Sequence, residues 1–267
     1  MFKIKTTILI LFLMMLLSDC TFSNKESSSD NESEVMLNEA ENTNQMAPET
    51  SEPNLPTDYS LPKKLVYSKV IGYDLITDFY PIGWSTESKF AFIREPSDEA
   101  CGCYFFDIII MDMITDKIVW EWNFNDEGEG ETRITVWNKN YKLFKSKLLK
   151  NKIIPADNFV LEPAYFKSKD KYYKIKHSVK NNSNWDFQNL EVFHIELSTT
   201  ELGKKRILKQ SYDEFDMILE AGISGVLKSP FEDRITVVYY EIIRGWEGPP
   251  NVTRFGLSGS HLMKGFN

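Results

Sequence analysis

A mainly β domain with one amphipathic helix is the fold class that the sequence predicts. Between residues 61 and 267, several runs of β-branched and aromatic residues alternate with polar residues at period two, as half-buried strands do. One further run in this region spaces its apolar residues as a helix does. The residues before 61 lack both patterns, so we expect a single β-rich domain over 61–267.

The first nineteen residues have the composition of an export signal. Lys3 and Lys5 supply a positive end, and the run from Ile8 to Leu17 is apolar throughout. As a helix, these residues would reach only about 15 Å, half of a hydrocarbon core that is about 30 Å thick. We therefore expect a signal peptide over 1–19 rather than a stable transmembrane helix.

The residues Leu17-Ser18-Asp19-Cys20 resemble the lipobox of bacterial lipoproteins. The resemblance implies cleavage before Cys20, lipid on that cysteine and an anchor in a membrane of the cell envelope, where two or three acyl chains hold a protein durably. Thr21 differs from the Asp that resembles an inner-membrane retention signal in some Gram-negative bacteria, so the outer membrane is favoured. The alternatives are a secreted protein with an incidental Cys20 and an uncleaved anchor.

Residues 20–60 have the composition of a disordered tether, because Ser, Asn, Glu, Thr and Pro dominate and no apolar periodicity is present. Residues 21–60 hold nine acids and one basic residue, a net charge of −8 that equals the −8 of the whole chain. Residues 61–267 hold 28 Lys and Arg against 29 Asp and Glu, so the domain is close to neutral. Nothing in this balance favours a nucleic acid as partner.

Several segments of the domain carry the strand pattern, some with both faces apolar. Three of these strands open at a polar turn: Glu87-Ser88-Lys89, Lys169-Asp170-Lys171 and Glu232-Asp233-Arg234. The predicted strands are 89–95, 104–113, 172–179, 190–197 and 234–243.

Short segments of the domain resemble turns of TolB-like β-propeller blades. Residues 83–92 and 228–237 are similar to the W-S-P-D-G-K-x-I-A-F signature, and residues 112–117 are similar to the D-L-x-T-G-K turn that closes such blades. The resemblance implies a degenerate β-propeller. A β-sandwich or a meander is the alternative, since a propeller repeats its blade at least about four times.

The helical pattern covers about residues 138–152. Tyr141, Phe144 and Leu148 share one face, and Pro155 stops the helix. A packed, solvated helix is favoured over contact with a membrane, because carboxylates in the preceding loop are available to its cations. Those cations are Lys139, Lys142, Lys145, Lys147, Lys150 and Lys152.

Cys101-Gly102-Cys103 is the segment of the domain that suggests covalent or redox chemistry. If Cys20 carries lipid, Cys101 and Cys103 remain for a disulfide, and an exported compartment is generally oxidising. A structural bridge or two reduced thiols is the favoured interpretation. A bridge across one residue closes a small, strained ring, so a labile, redox-active disulfide is one alternative, and a pair of metal thiolates is another. The three histidines lack the spacing of metal ligands, so we expect no metal and no cofactor.

The segment between residues 244 and 251 is the expected recognition loop, because its glycines and prolines allow no regular pairing. Arg244, Trp246, Glu247 and Asn251 are its candidate contact residues.

No catalytic residue is predicted, because the templates for a nucleophile elbow, a phosphate loop, a zinc protease and a calcium loop all fail. The leading hypothesis is a lipid-anchored, non-enzymatic envelope protein that binds a protein or glycan partner or has a structural role. The runner-up is an exported hydrolase or a redox enzyme working through Cys101 and Cys103.

Overall fold

The computed structural model describes residues 53–65, 75–97, 102–126, 130–182 and 189–267. The predicted signal peptide, Cys20, Cys101 and the tether up to residue 52 lie outside these residues. Strands make up 54% of the described residues, which also contain one α-helix. The prediction of a mainly β fold with one helix is therefore confirmed.

Thirteen strands and the helix α1 (Arg133–Lys150) form the described part of the chain. The strands are β1 (Leu75–Ile76), β2 (Asp78–Trp84), β3 (Lys89–Glu95), β4 (Tyr104–Asp112), β5 (Lys117–Asp126), β6 (Ile154–Pro155), β7 (Tyr165–Ser168), β8 (Lys171–Asn182), β9 (Asn189–Thr199), β10 (Gly203–Ser211), β11 (Ile218–Lys228), β12 (Arg234–Ile243) and β13 (Val252–His261).

Each of the three polar turns leads into a strand, and two of these strands begin at the predicted residue. β3, β8 and β12 begin at Lys89, Lys171 and Arg234, respectively. The predicted bounds of β3 and β12 are confirmed, and β4, β8 and β9 differ from prediction by one to three residues at their ends. Turn residues locate strand starts well because they exclude extended pairing locally.

The strands form three sheets. Sheet I has the order β5-β4-β3-β2-β6, and sheet III has the order β10-β9-β8-β7. Sheet II has the order β1-β13-β12-β11, and its edge pair β1 with β13 is parallel whereas the other pairs are antiparallel.

The helix α1 begins at Arg133, five residues before the predicted start at 138. Thr132 caps it: the Thr132 side chain accepts a hydrogen bond from the backbone N–H of Thr135, and the Thr135 hydroxyl accepts one from the N–H of Thr132. This reciprocal cap satisfies amides that the first turn leaves unpaired. Apolar spacing misses this turn because Ile134 and Thr135 are exposed.

The helix and the three sheets are stacked as successive layers. Along β3, Ala91 and Ile93 face α1, whereas Phe90 and Phe92 face sheet II. Both faces of β3 are therefore buried, as the unbroken apolar sequence predicts.

Sheet II is the layer between sheets I and III. On β12, Val238 packs with Phe90 of sheet I, and Val237 packs on the other side with Phe193 and Ile195 of sheet III. None of the three apolar clusters of the described residues joins sheet I to sheet III, although these sheets are consecutive in the chain. A propeller, whose consecutive blades are neighbours, is not shown.

Tyr59 is packed into the layer formed by α1 and sheet I. Its side chain is 4% exposed, and its hydroxyl donates a hydrogen bond of 2.6 Å to the carbonyl oxygen of Ile153. Its backbone N–H donates to the hydroxyl of Tyr141 at 2.9 Å. Packing thus extends two residues before 61, the predicted first residue of the domain.

Candidate functional site

The outer face of sheet III carries no further layer among the described residues. The inner face is apolar, with Phe193, Ile195 and Leu197 of β9 buried against sheet II. On β8, the alternate residues Lys174 and Lys176 point the other way and are exposed. This leaves one broad sheet face open to solvent.

Seven cationic side chains lie on this outer face, which we call the lysine face. Their common side follows from the ladder, because residues directly opposite each other in antiparallel strands project from the same face. Glu196, for example, stands opposite Lys176 of β8 and Arg206 of β10. The seven are Lys167, Lys174, Lys176, Lys180, Lys204, Arg206 and Lys209.

Only part of this charge is paired. Lys204 lies 3.5 Å from the carboxylate of Glu196, and Lys180 lies 2.7 Å from that of Glu191. Lys167 pairs at 3.0 Å with the exposed Asp170 at the β7–β8 turn. The other four cations have no acid within ion-pair distance among the described residues, so the face keeps an excess of positive charge.

An open depression of about 410 Å³ lies within the lysine face. Lys176, His194, Glu196 and Arg206 line it. The Nδ1 atom of His194 is buried and has no hydrogen-bond partner among the described residues. The depression thus brings cations, a carboxylate and an imidazole together.

The histidines do not form a joint site. His177 and His194 lie on neighbouring strands but on opposite faces of sheet III, because His177 pairs with Ile195 and His194 pairs with Ser178. The ring of His177 lies 5.9 Å from that of Phe193 on the inner face. No group of three or more His, Cys, Asp or Glu residues that suits a metal ion occurs in the described part of the chain.

Two tyrosines border the lysine face, Tyr165 on the edge strand β7 and Tyr172 on the neighbouring strand β8. The rings of Tyr165 and Tyr172 stack with centroids 5.6 Å apart and planes 8° apart. Tyr165 stands opposite Lys174, and Tyr172 stands opposite Lys167. Both side chains are more than half exposed, at 58% and 53%.

The predicted recognition loop connects β12 to β13. Trp246 is 81% exposed, and Glu247 is also exposed. Asn251 accepts a hydrogen bond of 3.4 Å from the N–H of Gly245 within the loop, and Arg244 is partly buried.

A second loop adds an aromatic residue beside this one. The N–H of Arg244 donates to the carbonyl oxygen of Met217 at 3.0 Å, directly beyond the last ladder pair of β11 and β12. Phe215 and Trp246 each lie two residues further along their loops, and Phe215 is 79% exposed. We call these two residues the aromatic tip.

The sequence-predicted cysteine site is described only in part. Cys103 is disulfide-bonded, whereas Cys101 and Cys20 lie outside the described residues. Within those residues, no helix has the length and apolar character needed to cross a bilayer.

One polar cluster ties sheet I to the start of α1. The carboxylate of Glu95 accepts hydrogen bonds from the hydroxyls of Tyr80 and Tyr104, the latter at 2.6 Å. The guanidinium of Arg133 lies 3.6 Å from the centre of the Tyr80 ring. Burial, followed by the hydrogen bond to Glu95, raises the pKa of both tyrosines, so both hydroxyls stay protonated donors. We interpret this cluster as structural.

Sequence reasoning did not identify the lysine face, although a signal for it was present. In residues 171–180, lysine or another polar residue occupies every second position, which assigns one face of the strand to cations. The charge total for residues 61–267 conceals this segregation because the domain sums to −1.

No protein-family model, curated protein or solved structure matches the chain.

Proposed function

We propose that the protein is a lipid-anchored, non-enzymatic binding protein of the cell envelope, and that its lysine face binds a polyanionic partner. The observation that carries this proposal is the collection of seven cations on one uncovered sheet face. Asp170, Glu191 and Glu196 are the acids beside them, which leaves a formal charge of 7 − 3 = +4 on the face.

The charge segregation has an electrostatic cost for the isolated domain. Like charges on neighbouring strands repel each other, and mixing the 29 acids of residues 61–267 with the cations would relieve that repulsion. A surface of one sign attracts oppositely charged partners and speeds their encounter. A polyanionic partner therefore accounts for an arrangement that folding does not require.

The anchor supports the same proposal. The lipobox resemblance implies lipid on Cys20, and the outer membrane is the favoured location. A tethered domain meets an envelope polymer at high effective concentration, so weak contacts with single anions suffice for retention.

The direct test measures binding of inorganic polyphosphate to the full chain in detergent. The variant carries Lys174→Gln, Lys176→Gln and Arg206→Gln. An exposed ion pair contributes about 0.2–1 kcal/mol, so we expect a loss of roughly tenfold in affinity. A control with three exposed lysines removed elsewhere, Lys117→Gln, Lys142→Gln and Lys150→Gln, should bind as the unmodified chain does. Equal losses in both variants would exclude a specific role for the lysine face.

The lipid anchor has its own test. Mass spectrometry of the mature N-terminus should find an acylated Cys20, and Cys20→Ser should release the protein from membranes. An uncleaved Met1 or an unmodified Cys20 would contradict the anchor.

The aromatic tip is a second candidate for binding, in this case to an envelope protein. Exposed aromatic residues on adjacent loops act as anchors in protein interfaces more often than scattered polar contacts do. Trp246→Ala should weaken capture of such a partner, and polyphosphate binding should be unchanged.

The exported-enzyme alternative depends on Cys101 and Cys103. The variant Cys101→Ser with Cys103→Ser tests it, because a redox function requires a change in phenotype beyond any loss of stability. For the finer architecture, we propose stacked meanders of the sandwich type rather than a degenerate propeller, on the basis of the layer order.

A further inference from the structure

We infer that the polyanion bound by the lysine face is an acidic glycan. This inference deepens the proposed function and rests on it. A glycan that carries carboxylate or sulfate groups combines three features: anions, many hydroxyl donors and the apolar faces of sugar rings. The lysine face offers a complement to each of them.

The tyrosine pair supplies the aromatic complement. The equivalent stacked pair on the inner face, Phe166 with Tyr173, is buried and forms part of the core between sheets II and III. Tyr165 and Tyr172 repeat this stacking on the outer face, where no layer of described residues covers them. Their rings therefore present apolar surface directly beside cations, and an aromatic ring with a polar hydroxyl suits a ligand that is apolar on one face and polar at its edge.

Glu196 supplies an acceptor for hydroxyl groups. It lies in the depression between Lys176 and Arg206, where a carboxylate weakens binding of a phosphate group by repulsion. The same carboxylate accepts hydrogen bonds from hydroxyls. A ligand with hydroxyls donates to Glu196, whereas the ionised phosphates along a polyphosphate chain have no hydroxyl to donate.

The dimensions of the face fit an extended chain. Lys174 and Lys180 lie six residues apart on β8, a distance of roughly 20 Å, and neighbouring strands add about 5 Å each across the face. Several sugar units therefore fit along the rows of cations, with the tyrosines at one border.

The test compares two probes, polygalacturonate as an acidic glycan and inorganic polyphosphate as a polyanion without sugar rings. With the full chain in detergent, Tyr165→Ala combined with Tyr172→Ala should weaken polygalacturonate binding roughly tenfold. Polyphosphate binding should stay within about twofold, which also reports that the variant is folded. Tyr165→Phe with Tyr172→Phe keeps both rings and should retain most of the glycan affinity. Phe215→Ala, at the aromatic tip, is the matched control.

The outcomes separate this inference from the proposed function. If the alanine pair changes neither affinity while Lys174→Gln, Lys176→Gln and Arg206→Gln lower both, the glycan inference is wrong and the polyanion proposal stands. If those three substitutions lower neither affinity, the proposed function itself fails. A single-stranded oligonucleotide serves as a third probe. The glycan assignment would be overturned if the oligonucleotide bound at least as tightly as polygalacturonate and lost affinity in the same way when both tyrosines were replaced by alanine.

Discussion

The hydroxyl of Tyr59 donates a hydrogen bond of 2.6 Å to the carbonyl oxygen of Ile153, 94 residues further along the chain. This contact joins the segment before the first strand to the residues that follow α1. The Tyr59 ring is buried with Ile82 and Leu148 in the cluster between α1 and sheet I. Tyr59 therefore holds the segment before β1 against α1 and sheet I.

Tyr59→Phe should lower the free energy of unfolding by about 1 kcal/mol, because it removes one hydrogen bond and leaves the carbonyl of Ile153 unpaired. Tyr59→Ala should cost about 3 kcal/mol or more, because it also empties a buried ring site. Urea unfolding followed by circular dichroism measures both values. Tyr165→Phe is the control, since Tyr165 is exposed, and its midpoint should not move. An unchanged midpoint for Tyr59→Ala would show that the segment does not contribute to the fold.

Asp116 provides a pH-dependent contribution to stability. It accepts hydrogen bonds of 2.7 Å from the N–H of Gly259 and from the hydroxyl of Ser258, so it docks the β4–β5 turn onto sheet II. Burial raises the pKa of its carboxyl above the ordinary value of 3.8. In the window above 3.8 the folded state binds more protons than the unfolded state, so this group lowers stability as the pH rises through that window.

Asp116→Asn should remove this dependence. The difference in unfolding free energy between the unmodified chain and Asp116→Asn should favour the unmodified chain most at the acid end of the window and shrink towards neutral pH. Ser258→Ala keeps the titrating carboxyl but removes a hydrogen bond that lowers its pKa, so stability should still fall as the pH rises, and the loss of about 1 kcal/mol should be larger at neutral pH than at the acid end. If the unfolding free energies of the unmodified chain and of Asp116→Asn changed with pH in parallel, Asp116 would not be the group responsible for the pH dependence.

Glu241 is a buried carboxylate with one partner in the loop after β10 and one on β13. It is 5% exposed and accepts hydrogen bonds from the hydroxyl of Tyr212 and, at 2.6 Å, from Nε of Arg254. Removing one partner of a buried pair costs about 3–5 kcal/mol. Arg254 is half exposed, so Arg254→Met should cost less, about 2 kcal/mol.

The control for Arg254→Met is Arg206→Met on the lysine face. Arg206 has no acid within ion-pair distance among the described residues, so this variant should unfold at the same urea concentration as the unmodified chain. Combining Arg254→Met with Glu241→Gln should recover part of the lost stability, because no uncompensated charge remains. A larger loss in that double variant than in Arg254→Met would contradict this explanation.

Local sequence patterns predicted the strands and the helix well. They did not predict which sheets pack against each other. Lys89 and Arg234 were predicted strand starts because polar turns exclude pairing within a few residues. The placement of sheet II between sheets I and III depends on contacts such as Phe90 with Val238, which sequence spacing does not encode. The lysine face was missed for a different reason. Lys174 and Lys176 alternate with core residues along one strand, so the face becomes visible only when the charges are assigned to the two sides of that strand.

Gly259 tests the docking of the β4–β5 turn most directly. A Cβ at this position would lie 1.9 Å from the carbonyl oxygen of Met113, a backbone atom that has little freedom to move. Gly259→Ala should therefore displace the turn and lower the free energy of unfolding by about 3 kcal/mol, at the upper end of the cost of overpacking.

The matched comparison is Gly222→Ala on β11. There the added Cβ meets the hydroxyl end of the Tyr240 side chain at 2.5 Å, and a side chain relaxes more easily than backbone. We expect a loss of about 1 kcal/mol. Urea unfolding of both variants shows which of them loses more unfolding free energy. An equal or larger loss for Gly222→Ala would show that the β4–β5 turn can shift without a measurable loss of stability. The order matters for function because the turn holds sheet I against sheet II, and sheet II in turn supports the inner face of sheet III beneath the lysine face.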